Sequence, residues 1–392
     1  MRNVLLRGFQ RLPILLNQSM RESIKKFLVT TGGILGILLV AVVAFNSLSP
    51  QLGGTPTDQE KVAYAKSGHY QDGEFVNLLP TRQLTGGSTV GVMWNFLFHK
   101  APDASPPGPL PQQPLDSMAI IRKTPEIVRV TWFGHSASLL EIAGQNILID
   151  PMLSVEMGPV SWATPKRYNP ELAITPEKLP YIAAVLISHD HYDHLDYETI
   201  EKIKDKVGQF YVPLGIAAHL RTWGVPRARI TEMNWGDSVQ LPNLKLRCTP
   251  SRHFSGRGIT NHNSTLWCSW VVQGTSKRVF YTGDGGYGPH FAAIGRQYGP
   301  FDLALVECGQ YNAGWAEIHM KPEQSVQAAR DLRAAVMLPV HWGAFTESLH
   351  AWNEPVIRAT TEAARLGQVM TTPHLGEPVT LGAMLPQERW WK

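Results

Sequence analysis

Apolar and polar positions follow three different rhythms along the chain. Residues 27–45 run without a single charge, just long enough to cross a hydrocarbon core as a helix. From residue 128 the apolar runs shorten to strand length. Residues 128–132, 138–142 and 147–149 predict strands, the last stopped by Asp150-Pro151. The run Ala183-Ala184-Val185-Leu186-Ile187 predicts a buried strand, and helical periods follow over 197–206 and 214–222. A second series predicts strands at 245–249, 264–272, 278–282, 303–307 and 335–340, with helices at 291–298, 322–332 and 355–366. Two strand-rich halves with helices between them suit two packed sheets covered by helices, and parallel crossovers explain the continuous apolar runs. No internal repeat is evident.

Between the first run and the strands, residues 46–125 read as a linker and lead-in. Gly53-Gly54-Thr55-Pro56 lies near its start, and Pro106-Pro107-Gly108-Pro109-Leu110-Pro111 can neither pair as a strand nor continue a helix. Phe75, Trp94, Phe96, Leu97 and Phe98 make the stretch apolar enough to dock on the main domain or on a membrane surface. Residues 126–392 form the main domain.

Composition narrows this picture. With 392 residues and 43% hydrophobic content the chain can bury a large core. Charged residues are 17% and the net charge is +4, which weighs against a nucleic-acid binder with its concentrated basic face. Residues 1–26 carry Arg2, Arg7, Arg11, Arg21, Lys25 and Lys26 against the lone acid Glu22, and no Lys or Arg follows the apolar run until Lys61. The positive-inside bias therefore makes 1–26 a cytoplasmic basic segment and 27–45 a single-pass signal anchor, with the main domain on the far side. In a bacterium that membrane would be the inner one. A cleaved signal peptide and a buried core helix are the alternatives; a start at Met20 keeps the same topology. Cys248, Cys268 and Cys308 have no pairing pattern and read as buried free thiols.

The chemistry concentrates in Ser188-His189-Asp190-His191-Tyr192-Asp193-His194-Leu195-Asp196, directly after the buried strand. His189 and His191, two apart at a strand end, can point toward one cation, and Asp193 and His194 sit on the next turn beside a second. Neutral imidazole and carboxylate are the donors Zn²⁺ favours in catalytic sites. The bland reading is a solvated His-rich loop, which would not normally have an apolar strand before it and a helix after it. Further donors also follow strand-like runs: His253 after Thr249-Pro250-Ser251-Arg252, Asp284 after Phe280-Tyr281-Thr282-Gly283, and His341 after Met337-Leu338-Pro339-Val340. Any one alone reads as a structural side chain; together, in this order, they point to a two-metal site.

The motif His-x-His-x-Asp-His resembles that of metallo-β-lactamase-fold hydrolases. Strings such as Ala184-Val185-Leu186-Ile187-Ser188-His189, Gly299-Pro300-Phe301-Asp302-Leu303-Ala304 and His341-Trp342-Gly343 look like the N-acyl-phosphatidylethanolamine-hydrolysing phospholipase D group and its bacterial membrane-anchored relatives, over residues 128–376. The resemblance implies an α/β fold, the αββα sandwich. It also implies two Zn²⁺ per chain: His189, His191 and His253 on one, Asp193, His194 and His341 on the other, and Asp284 bridging. A hydroxide held between cations about 3.5–4 Å apart would attack phosphorus, with Asp284 and His319 the catalytic side chains. Gln310 and Tyr311 would line the substrate pocket or serve only as loop residues; His135 would support the ligands or be a buried structural histidine. Asp150 reads as a strand-end support. A homodimer follows by analogy only.

The expected substrate is an N-acylated or other phospholipid. The same site could instead open lactone, thioester or β-lactam carbonyls, and a non-catalytic membrane-anchored regulatory module is the third reading. The loop Tyr311-Asn312-Ala313-Gly314-Trp315-Ala316-Glu317 departs from the eukaryotic lipase pattern, where specificity is set.

Overall fold

The computed structural model describes residues 18–392 apart from 87, 89–90, 92–93, 96–97, 123, 161–163 and 259. Two units are distinct, residues 1–49 and 50–392. In the first, Gln18–Leu48 (α1) is one helix of 31 residues. It contains the predicted 27–45 span, and over Glu22–Leu48 it is long and apolar enough to cross a membrane. Phe27, Leu28, Val29, Leu35 and Ile37 are all exposed. Arg2, Arg7 and Arg11 lie outside the described residues.

The second unit begins at Pro50, well before the predicted boundary at 126, because the lead-in supplies core side chains. Asp58–Tyr64 (α2) is started by a capping box between Thr57 and Glu60. A two-stranded ribbon follows, Tyr70–Gln71 (β1) with Glu74–Phe75 (β2). Tyr64 and Phe75 are buried in the main core, with Tyr64, Tyr70 and Phe75 packed ring against ring. The lead-in thus docks on the main domain through Phe75, while Trp94 and Phe98 stay exposed. Phe96 and Leu97 lie outside the described residues. Ser117–Ile121 (α3) then leads into the sheets.

Seven strands form the first sheet: Arg129–Trp132 (β3), Ser138–Ile142 (β4), Gln145–Ile149 (β5), Ile182–Leu186 (β6), Val207–Pro213 (β7), Ile230–Met233 (β8) and Pro378–Thr380 (β15). Their order is β15-β3-β4-β5-β6-β7-β8, parallel from β5 to β8. Six form the second: Ser238–Leu241 (β9), Leu244–Thr249 (β10), Ser269–Gly274 (β11), Arg278–Tyr281 (β12), Phe301–Glu307 (β13) and Ala334–Val340 (β14), with β12, β13 and β14 parallel. Period-two alternation assigns the faces. Leu140, Ile147, Ile149, Ala184 and Leu186 join the core shared with the second sheet. Their neighbours Leu139, Leu148 and Val185 turn outward to a separate core with Tyr197–Ile203 (α4) and Ala217–Thr222 (α5). His290–Tyr298 (α6), Pro322–Asp331 (α7) and Glu354–Leu366 (α8) cover the second sheet, α7 lying against β13 and β14. The result is the expected αββα sandwich.

One strand starts later than its pattern predicts. Residues 264–268 fall within the predicted strand but do not extend β11, because their amides are taken elsewhere: Leu266 N–H donates to Leu214 O (2.7 Å) and Cys268 N–H to Ser188 O (2.9 Å). That detour ties the second sheet to the loop carrying the histidines. All three cysteines are buried free thiols.

Candidate metal centre

Parallel strands place their carboxyl ends at one edge, and each predicted donor sits just past such an end. β6 delivers His189, β10 delivers His253, β12 delivers Asp284 and β14 delivers His341. The turn before Asp284 requires glycine: Gly283 has φ +58°, and a Cβ there would meet Cys268 O at 2.6 Å. His135 and His341 also hold left-handed backbones, φ 52° and 67°. They lock each other: His135 N–H donates to Trp342 O and His341 N–H to His135 O, both at 2.8 Å.

The donors converge as two clusters. His189 Nε2 lies 2.9 Å from His191 Nδ1, which lies 3.3 Å from His253 Nε2. Asp193 Oδ2 lies 3.0 Å from His194 Nε2 and 3.4 Å from His341 Nε2. Asp284 Oδ2 faces both, 2.9 Å from His341, 3.2 Å from His194, 3.9 Å from His189 and 4.0 Å from His253. Outer partners fix which ring nitrogen faces inward. His253 Nδ1 meets Ile318 O at 3.0 Å and His194 Nδ1 meets the buried Asp150 carboxylate at 2.7 Å, so each turns Nε2 to the centre. Asp150 also accepts from Ser188 N–H (2.7 Å) and Tyr281 OH (2.5 Å), the support role read from the sequence. His135 Nε2 bonds Asp193 Oδ2 at 2.7 Å, so it steadies a cluster member.

The electrostatics fit a cation. Burial, then neighbouring imidazoles, hold His189 and His253 well below the usual histidine range, which leaves neutral donor rings. Burial opposes charge on His194 and His341 too, yet the Asp284 and Asp193 carboxylates outweigh it and draw positive charge to both rings. His194 Nε2, although within ion-pair distance of both carboxylates, makes no hydrogen bond of good geometry, and Asp284 Oδ1 is buried without a partner. Imidazole nitrogens 2.9 Å apart need a proton or a cation between them, and a mixed N and O donor set of this kind suits Zn²⁺. Among the described residues, four groups of side chains could each hold an ion: His189, His191, His253; His135, Asp193, His194, His341; Asp284, Glu307, His319, His341; and Asp150, His189, His194.

The profile of the beta-lactamase superfamily domain matches residues 145–342, half of the chain and every one of these donors except His135. The chain is a metallo-β-lactamase superfamily hydrolase. An uncharacterised protein of Mycobacterium tuberculosis is 38% identical over 351 residues, covering 88% of this chain and 92% of the relative. N-acyl-phosphatidylethanolamine-hydrolyzing phospholipase D 1 of Caenorhabditis elegans is 34% identical over 227 residues, 55% of this chain and 64% of the relative. Among solved structures, the isothiocyanate hydrolase from Delia radicum gut bacteria superposes with TM-score 0.51 at 20% identity, over 66% of this chain and all of that one; this likeness shows the fold.

Above the clusters of this superfamily member opens a cavity of about 410 Å³. His319 lines it, with Nδ1 3.0 Å from Glu307 Oε2. Gln310 lines it too, but both ends of its amide are taken: Nε2 donates to Phe345 O (3.1 Å) and Oε1 accepts from Glu347 N–H (3.0 Å). Tyr311, expected beside it, does not face the cavity. Its hydroxyl donates to Glu354 (2.6 Å) and accepts from Arg358 (3.0 Å) on α8, the backbone having turned through a left-handed Gln310, φ 58°. Sequence reasoning missed Glu307, which ends β13 as Asp284 follows β12 and carried the same strand-end signal. It also missed Glu347, which had no motif, and Arg257. That buried guanidinium donates to Asp190 O (2.6 Å), Leu195 O (2.7 Å) and Gln51 O (2.6 and 2.8 Å), stacked over Tyr192.

Proposed function

We propose that the chain is a two-zinc phosphodiesterase of phospholipase D type acting on membrane phospholipids. The observation that carries this is the pair of donor clusters sharing one carboxylate. In this reading His189, His191 and His253 would hold one cation and Asp193, His194 and His341 the second, with the Asp284 carboxylate between the two sets. Two such cations lower the pKa of bound water and offset charge developing on phosphoryl oxygens. The kinship with the worm phospholipase D supports phosphorus as the electrophile.

The chain's own residues divide the remaining work. Asp150 and the Ile318 carbonyl hold His194 and His253 in one tautomer. Glu307 keeps the His319 proton on Nδ1, leaving Nε2 as the nitrogen that can exchange a proton with the substrate. Phe254, Trp315, Leu84 and Ile318 give the cavity an apolar wall that excludes water and suits the lipid portion. Helix α1 would keep the site at the bilayer, with residues 1–26 in the cytoplasm and the catalytic unit across the membrane.

The test combines metal analysis of the purified protein with hydrolysis of ethanolamine and choline phospholipids by wild type and Asp284→Asn. About two zinc ions per chain, with phosphatidic acid released by wild type and not by the variant, is the expected result. Two zinc ions with lactone or cephalosporin turnover and no phospholipid turnover would move the function to carbonyl substrates; failure to bind zinc after reconstitution would refute the metal centre.

A further inference from the structure

One carboxylate in the cavity belongs to neither cluster. Glu347 lines the same space as His319, Asp284 and Trp315, but it joins none of the groups able to hold an ion. Its Oε1 is buried and has no hydrogen-bond partner. The nearest imidazole, His135 Nε2, lies 3.8 Å away and bonds instead to Asp193 at 2.7 Å. A buried carboxylate oxygen left unpaired is costly, so a resting role in the fold does not account for it.

The segment carrying Glu347 is held in place. Gln310 clamps it at both Phe345 O and Glu347 N–H. On one flank Thr346 Oγ1 meets Tyr168 OH at 2.9 Å, and on the other Ser348 Oγ donates to Tyr311 O at 2.7 Å. The carboxylate is therefore presented to the cavity on a fixed backbone. Among the described residues that line the cavity there is no Lys or Arg, and the charge drawn to the His341 ring there is already met by Asp284 at 2.9 Å. Phe254 and Trp315 line the same cavity and offer the aromatic faces that ammonium groups prefer.

We propose that Glu347 is a specificity-determining residue that takes the cationic nitrogen of the substrate headgroup. The site would then favour phosphodiesters whose alcohol bears a free or quaternary ammonium over those with a neutral alcohol. This rests on the phosphodiesterase reading and narrows it: the metal end takes the phosphoryl group, and Glu347 takes the positive charge on the alcohol. A substrate with its amine acylated would lose that contact and depend on the apolar wall.

The experiment measures binding separately from turnover. The full-length protein in detergent, loaded with zinc, is titrated calorimetrically with phosphoethanolamine, phosphocholine and sn-glycerol 3-phosphate, for wild type, Glu347→Gln and Glu347→Asp. The expected result is a preference of about tenfold or more for the ammonium-bearing ligands in wild type, near unity in Glu347→Gln and intermediate in Glu347→Asp. Equal affinity for all three ligands in wild type, or a preference that survives in Glu347→Gln, overturns the proposal. Hydrolysis of bis-p-nitrophenyl phosphate on the same samples reads the underlying function: no turnover with zinc bound refutes the phosphodiesterase and leaves the binding ratio to judge Glu347. A loss of kcat on that neutral ester with the binding preference intact would make Glu347 a proton donor to the leaving group, and overturn the recognition role.

Discussion

Replacing Asp150 with Asn tests whether a residue that contacts no substrate governs one half of the metal centre. Asp150 is fully buried, and both its oxygens only accept. Oδ1 takes Ser188 N–H, while Oδ2 takes His194 Nδ1–H, Tyr281 OH and the Ser188 hydroxyl. An amide must turn its NH₂ toward one of these sides. Facing Ser188 N–H, it opposes one donor; facing Oδ2's partners, it opposes three. Both orientations leave buried donors unpaired, costing about 1–3 kcal/mol of stability. In the first, His194 keeps an acceptor but a neutral one; in the second, it loses its tautomer lock. Disturbing such an outer partner costs about 10–100-fold in metal affinity. The consequence should be unequal, because Asp150 bonds His194 directly and reaches His189 only through the Ser188 hydroxyl, while His253 rests on Ile318 O. Competition with a graded chelator should show the ion on the His194 side lost about 10–100-fold more readily and the other weakened less. Equal weakening of both sites, or of neither, would refute the assignment of Asp150 to His194.

Other perturbations separate the parts. His319→Gln should retain both metals and lower kcat on a phosphodiester by about 10²–10⁴-fold; unchanged kcat would remove His319 from the chemistry. Tyr311→Phe should leave KM and kcat within about twofold, since its hydroxyl meets Glu354 and Arg358 and costs at most a hydrogen bond of about 1 kcal/mol. Phe75→Ala removes a fully buried ring and should cost about 3–5 kcal/mol, seen as a Tm fall on the order of 5 °C; a smaller loss than about 1 kcal/mol would make the lead-in an appendage. Burial lifts the Glu232 carboxyl above its usual 4.5, against hydrogen bonds from Gly215 N–H and Tyr64 OH. The folded state keeps that proton to higher pH than the unfolded one, so this stabilisation is complete below about 4.5 and lost as pH rises through the folded value. Glu232→Gln should flatten that fall in a denaturation series, and an unaltered slope would refute it.

The main sheets were legible because buried parallel strands are continuous apolar runs, and the donors because each follows one. Strands such as β9 and β15 escaped, being short and half exposed, with no run to mark them. The docking of the lead-in was legible in Phe75, but prolines and glycines hide how deeply Tyr64 and Phe75 penetrate. Near the centre, His-x-His-x-Asp-His announced four donors, since metal geometry constrains residue type and spacing together, and strand ends pointed to three more, His253, Asp284 and His341. Glu347 and Arg257 left no such trace: one is a lone carboxylate on a loop, the other a cation whose hydrogen-bond acceptors are main-chain carbonyls. Tyr311 was placed wrongly because sequence adjacency to Gln310 says nothing about which way a loop side chain turns.

Arg257 donates its hydrogen bonds to the main chain, the carbonyls of Gln51, Asp190 and Leu195, while Tyr192 and Trp223 take its flat face. Any residue at position 51 would present the same oxygen, so substitutions there pass unnoticed by the guanidinium. Insertions and deletions do not, because each added residue of extended chain carries that oxygen about 3.3 Å away. The start of the second unit is thus tolerant of spelling and strict about length. The side chain at position 51 can change freely, provided the count of residues from Gln51 to Gly54, whose backbone lies against Ala218 and Thr222, is kept.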